Sequence, residues 1–215
     1  MPAEGRPLPA GGAAFPRVWP VPSTPGPARG RLTAMTAEDL DPHGHAAEDP
    51  ACDVAHGLAP PPEADRTLVA VFDSPVARML LHFAGDSGFR PVLVEPDPQR
   101  TGDGPAGVTV TSGFTGLLDD ATDVVVTDHH RSELGLVLRD ALAGQARWIG
   151  VMGNPRVPAP HIPALAELGV AQTDIARVHR PIGLNIGSRT PAEIALATLA
   201  GLIADRNGRP GGFGF

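Results

Sequence analysis

Three polar side chains stand together in Asp128-His129-His130, directly after Thr127 at the end of an apolar run. Groups of these types can bind a metal or move a proton. Side chains that alternate along a turn diverge, however, and no second cluster in the chain has ligand spacing. Asp128 or Ser132 can also serve simply to cap the helix that follows. The structural role is the preferred reading, and no metal site is expected here. A second acidic turn, Glu95-Pro96-Asp97, ends another apolar run where a dinucleotide-binding domain keeps its ribose-binding carboxylate. Taken alone, such a turn reads as solvated surface. His43, His45, Cys52 and His56 are potential zinc ligands, but their spacing is irregular and no apolar core surrounds them.

The turn that would have to cradle a pyrophosphate reads Phe72-Asp73-Ser74-Pro75-Val76-Ala77. A dinucleotide site needs glycines here, so that the backbone can approach the phosphates at the helix N-terminus. None is present. Asp73 adds a carboxylate where a phosphate would sit, at a cost of about a few kcal/mol if uncompensated. NAD(P) is therefore not expected as a cofactor. The chain contains no lysine and no tyrosine, since all 17 basic residues are arginine. Phosphate-loop lysines, Schiff-base lysines and Tyr/Lys proton-transfer pairs are thereby excluded.

These groups need a scaffold, and the pattern of the chain supplies one. From Leu68 onward, short β-branched runs alternate with amphipathic stretches, as in βαβ units. Strands are expected at 68–72, 91–95, 108–110, 123–127 and 147–152. Helices are expected at 76–85, with Val76, Met79, Leu80 and Phe83 on one face, and at 133–143, with Leu134, Val137, Leu138 and Ala141. The last helix carries the clearest boundaries: Thr190, Pro191 and Glu193 form a capping box with proline at the first helical position, and Asn207-Gly208 stops it. Its expected apolar face is Ile194, Leu196, Ala197, Leu199, Ala200 and Ile203. The fold class is α/β, a Rossmann-like open parallel sheet with helices on both faces.

Of the 215 residues, 25 are proline and 26 glycine, crowded into the first sixty or so and the last few. Residues 1–64 lack any sustained period and are expected to be a disordered tail, with 65–208 as the folded domain and 209–215 as a flexible Gly-rich end carrying Phe213 and Phe215. The shift from a mildly basic to an acidic tail at Met35 raises that residue as an alternative start. A net charge of −7 gives no basic footprint for nucleic acid. No apolar stretch approaches the roughly 20 residues of a membrane span, and no secretory signal is visible, so the expected location is the cytoplasm.

Two stretches carry a family resemblance. Trp148-Ile149-Gly150-Val151-Met152-Gly153-Asn154-Pro155-Arg156 and Val178-His179-Arg180-Pro181-Ile182-Gly183-Leu184-Asn185-Ile186-Gly187-Ser188-Arg189-Thr190-Pro191-Ala192-Glu193-Ile194-Ala195 resemble the two signatures of the xanthine dehydrogenase accessory (XdhC/CoxI) family. That pattern is a Gly-Ser-Arg-Arg turn, a helix, His-x-Pro-Ile-Gly-Leu-Asp-Ile-Gly and Thr-Pro-Glu-Glu-Ile-Ala. Thr127 and His130 fall where the family has a Thr-His-Asp-His turn. The chain departs from the pattern at Pro155, at Asn185 in place of aspartate, in the first-turn glycines, and in lacking the family's N-terminal domain with its cysteine.

The resemblance implies a non-catalytic accessory protein that helps deliver or sulfurate the molybdenum cofactor (molybdopterin) of a molybdenum hydroxylase client. It implies a binding edge made by Thr127, His130, Gly153, Asn154, Arg156, Gly183, Asn185 and Gly187. Arg156 is the best anion-binding candidate among these, while the glycines also answer to tight turns. The alternatives are an NAD(P)-dependent oxidoreductase, which the fold alone favours, and a degenerate domain that only binds another protein. The sequence leaves the oligomeric state open, a homodimer included.

Overall fold

The computed structural model describes residues 50–60, 65–102, 104–154 and 156–212. The chain divides into two units, Met1–Pro60 and Pro61–Phe215. Most of the tail expected at 1–64 lies outside the described residues, as do His43, His45, Phe213 and Phe215. Within it Pro50–Ala55 forms a short helix, α1, which carries Cys52.

The larger unit runs β1 (Thr67–Val71), α2 (Pro75–Asp86), β2 (Arg90–Val94), β3 (Thr109–Thr111), β4 (Thr122–Val126), α3 (Leu134–Ala143), β5 (Trp148–Val151), α4 (His161–Glu167), α5 (Gln172–Ile175), β6 (Val178–His179) and α6 (Pro191–Arg206). All six strands are parallel, in the order β3-β2-β1-β4-β5-β6. Every residue of β1 and β4 is buried, as expected of central parallel strands covered on both faces. Alternation divides their side chains. Val69, Val71, Val124, Val126, Ile149 and Val151 meet α3, Leu165 and Ile175 on one face. Leu68, Ala70, Leu93, Val125 and Trp148 meet α2 and α6 on the other. The sheet is thus doubly wound, as the alternating pattern indicated.

Local signals explain most boundaries. Ser74 caps α2 by accepting from the Ala77 amide at 3.0 Å, with Pro75 in the first turn. At α6 the capping box forms: Thr190 accepts from the Glu193 amide and the Glu193 carboxylate accepts from the Thr190 amide. Its end is stopped at Asn207, followed by Gly208 at φ +61°.

Two expectations need correction, and one strand is added. Leu196 is 54% exposed, and α6 buries Ala195, Thr198 and Leu202 beside Ala197 and Leu199. This helix is apolar nearly all round, so periodicity could not choose its inward face; packing against α2 and the 183–184 loop does. At α3 neither Asp128 nor Ser132 caps, because Glu133 is the N-cap residue, without a side-chain cap bond. Asp128 instead accepts from the His130 amide, closing its own turn. Finally, β6 was not foreseen, since two residues are too few to show a strand period.

Candidate functional site

The strand order places a topological switch between β1 and β4, and open α/β sheets bind ligands at the carboxyl ends beside such a switch. Here the crevice is closed by the chain's own groups. Phe72 occupies φ +71°, the left-handed region where a glycine is usual, and its ring is fully buried. That backbone costs a non-glycine residue about 1–2 kcal/mol, which burial of the ring offsets. Thr127 Oγ1 lies 3.0 and 2.9 Å from the carbonyls of Val71 and Phe72, to which its hydroxyl donates, and 3.1 Å from Ser74 Oγ. Thr127, expected at the binding edge, therefore ties β4 to β1.

The acid at the end of β2 is not solvated surface. Glu95 is 2% exposed and accepts from the amides of Asp73 (2.9 Å) and Asp97 (3.1 Å). Arg131 adds a two-point ion pair at 2.8 and 3.1 Å. The Arg131 guanidinium also lies 4.5 Å from the centre of the Phe72 ring and pairs with Glu133 at 2.9 Å. Burial pushes the Glu95 carboxyl up, but the Arg131 and amide bonds outweigh it and hold the group below the usual carboxylate range. Arg131, Ser132 and its own amide hold Glu133 down to about 2. Asp73 is paired with Arg78 at 2.8 and 2.5 Å, so it is no bare charge facing a phosphate. Nothing in the sequence pointed to Arg131, because its partner lies 36 residues away and is set by the sheet.

At the carboxyl ends of β5 and β6 the two signature turns meet. In the first, Asn154 Oδ1 accepts from the Arg156 amide at 2.9 Å, and both residues are exposed. The guanidinium that crosses this turn belongs to Arg180: it donates to the carbonyls of Asn154 at 3.0 Å and Val157 at 3.1 Å. A Cβ at position 153 would come within 2.6 Å of Arg180 Nε, so a larger residue there would displace the guanidinium from the turn. Arg180 also acts electrostatically on His129 and His161, both held below the ordinary histidine value by burial first and then by neighbouring positive charge. His161 opens α4, is 3% exposed, and its Nδ1 has no hydrogen-bond partner among the described residues. Neither Arg180 nor His161 was singled out from the sequence: arginine fills the variable position of His-x-Pro, and His161 stands alone.

The second turn behaves differently. Gly183, at φ +85°, lies against α6, where a Cβ would meet the backbone of Thr198 at 3.1 Å, and the next amide donates to the Ala197 carbonyl at 2.9 Å. This glycine docks the loop on the helix. Asn185 and Gly187 are exposed, with Gly187 at φ +72°. His130 is exposed, its ring 4.1 Å from that of His129. Gly150 leaves room for Trp148, whose ring a Cβ would meet at 2.2 Å and which stacks on His179 at 5.2 Å. Among the described residues, no group of three His, Cys, Asp or Glu side chains could hold a metal ion.

This arrangement of turns on a six-stranded sheet can be compared with known proteins. The family described as the XdhC Rossmann domain matches residues 68–202. The chain belongs to this family. It is similar to the uncharacterized protein YqeB of Escherichia coli K12, at 34% identity over 94 residues, which is 44% of this chain and 17% of that protein. The fold is similar to a solved xanthine dehydrogenase structure from Bacillus halodurans, with a TM-score of 0.55 and 22% identity over 67% of this chain and 44% of the other. The chain thus spans less than half the length of either protein. Within its XdhC Rossmann domain, the signature turns cluster around Arg180, and the crevice between β1 and β4 is closed. No helix among the described residues is long and apolar enough to cross a membrane.

Proposed function

We propose that this XdhC-family chain is a non-catalytic accessory protein for maturation of a molybdenum hydroxylase of the xanthine dehydrogenase type, acting in the cytoplasm. Its part is to hold a phosphate-bearing molybdopterin, or the client surface that receives it, at the edge formed by Thr127, His130, Gly153, Asn154, Arg156, Gly183, Asn185 and Gly187. One observation carries the reading: the two signature turns lie side by side at the ends of β5 and β6, with Arg180 of the second turn donating to the Asn154 and Val157 carbonyls of the first. The residues present suit the pterin's phosphate, since a glycine turn, exposed Arg156 and donors without acceptors all favour an anion. When bound, the group would supply the metal-carrying dithiolene; this chain's residues would orient it and shield its phosphate.

Deletion of the gene in its own host tests the role. Loss of molybdenum hydroxylase activity, restored by the wild-type chain and at least tenfold less by Arg156→Ala, is expected from the loss of a charged hydrogen-bond partner. Unchanged activity on deletion would remove the maturation role. The closed crevice between β1 and β4 favours one second reading, a domain that binds a protein partner and no small molecule.

A further inference from the structure

The two signature turns contain no acid. Residues 152–161 and 179–190 hold Arg156, Arg180 and Arg189 but no Asp or Glu, in a chain whose net charge is −7. Arg156 and Arg189 are exposed, and among the described residues no carboxylate pairs with either guanidinium. Glu193, which follows the second turn, is occupied by the amides of Arg189 and Thr190. Apolar side chains accompany these cations: Val157, next to Arg156, is 50% exposed, and Ile186, three residues before Arg189, is 55% exposed. The turns form one surface, because Arg180 donates from the second to the Asn154 and Val157 carbonyls of the first. The second turn is in turn seated on α6, where the Leu184 amide donates to the Ala197 carbonyl at 2.9 Å and the neighbouring Leu196 is exposed. Single exposed apolar residues are ordinary on a protein surface. Here they share with two unpaired arginines a backbone that hydrogen bonds hold in place.

We infer that this face docks a protein whose own surface is acidic around an apolar patch, and that the protein is the molybdenum hydroxylase client; the choice of partner rests on the maturation reading above. Val157, Ile186 and Leu196 supply the apolar contacts from which binding energy comes, and Arg156 and Arg189 steer and orient the acidic partner. A small anion would meet the arginines and leave the apolar side chains in water, whereas a protein surface covers both.

The test measures binding of the full chain to the purified molybdenum hydroxylase of its host. Arg156→Glu combined with Arg189→Glu should weaken it about tenfold or more, and Ile186→Asp should do the same. The altered side chains are exposed, so melting temperatures should not change; if one variant melts early, the other decides. Raising salt from about 0.05 to about 0.5 M should weaken the wild type more than the arginine double variant, because screening acts on the charges. Leu136→Asp, exposed on α3 at the other face of the sheet, and Arg139→Glu, paired there with Asp140, should bind like the wild type. Wild-type binding weaker than about 100 μM, undiminished binding by the turn variants, or an equal loss at Leu136 would overturn the inference. If gene deletion abolishes hydroxylase activity although the chain does not bind the enzyme, the docking face is wrong and the maturation role stands. Binding through the turns without a deletion phenotype supports the docking face and removes the maturation role.

Discussion

Arg131 donates to both carboxylate oxygens of Glu95, at 2.8 and 3.1 Å, across 36 residues of chain and inside the crevice where a Rossmann domain would seat a nucleotide. The pair does three things at once. It neutralises a buried acid, covers the Phe72 ring, and joins the end of β2 to the turn after β4.

The first consequence is a pH dependence. Glu95 ionises below the usual carboxylate range when folded, so its contribution to stability is fully present above the unfolded value near 4.5 and is lost as pH falls through the folded value. Glu95→Gln should lower stability at pH 7 by about 3 kcal/mol, the low end for a broken buried pair because Arg131 keeps Glu133. The difference from wild type should shrink as pH falls from about 5 to about 3. Melting curves across that range check this, and a gap that stays constant would mean that Glu95 is not ionised in the fold.

Nucleotide binding is the second. The carboxylate that would meet a ribose is already taken by Arg131 and two amides, and Phe72 with Asp73 replaces the glycines of the phosphate turn. Calorimetry should find NAD(H) and NADP(H) binding no tighter than about millimolar, near −4 kcal/mol. A micromolar dissociation constant for either would reinstate the oxidoreductase reading.

The third concerns the other side of the sheet's start. Asp123 on β4 is fully buried and accepts from Arg147 on one oxygen and Arg206 on the other, both at 2.6 Å, while Arg147 also reaches Asp205 at 2.8 Å. One acid thereby fastens the end of α6 to the middle of the sheet. Asp123→Ala leaves two cations facing each other and should cost about 3 kcal/mol, somewhat relieved because both arginines are partly exposed. Urea denaturation reads this as a lower midpoint with unchanged slope; an unshifted midpoint would show that the clasp adds nothing.

The sequence by itself determined the elements whose signals are local. The β-branched runs place β1, β2, β4 and β5 within a residue or so, because strands buried on both faces must be apolar throughout. Thr190, Pro191, Glu193 and Asn207-Gly208 bound α6 because capping bonds reach only three or four residues. The signature turns were legible as a pattern, down to the residues of the XdhC resemblance. Tertiary structure decided everything that depends on distant partners. It gave β6 its identity, since two residues become a strand only through pairing with β5, and it chose the inward face of α6. It turned Glu95 from apparent surface into a buried ion pair, and it set Arg180 against Gly153. Side-chain pairing across tens of residues is fixed by strand order and helix packing, and neither leaves a period or spacing in the chain for a reader to find.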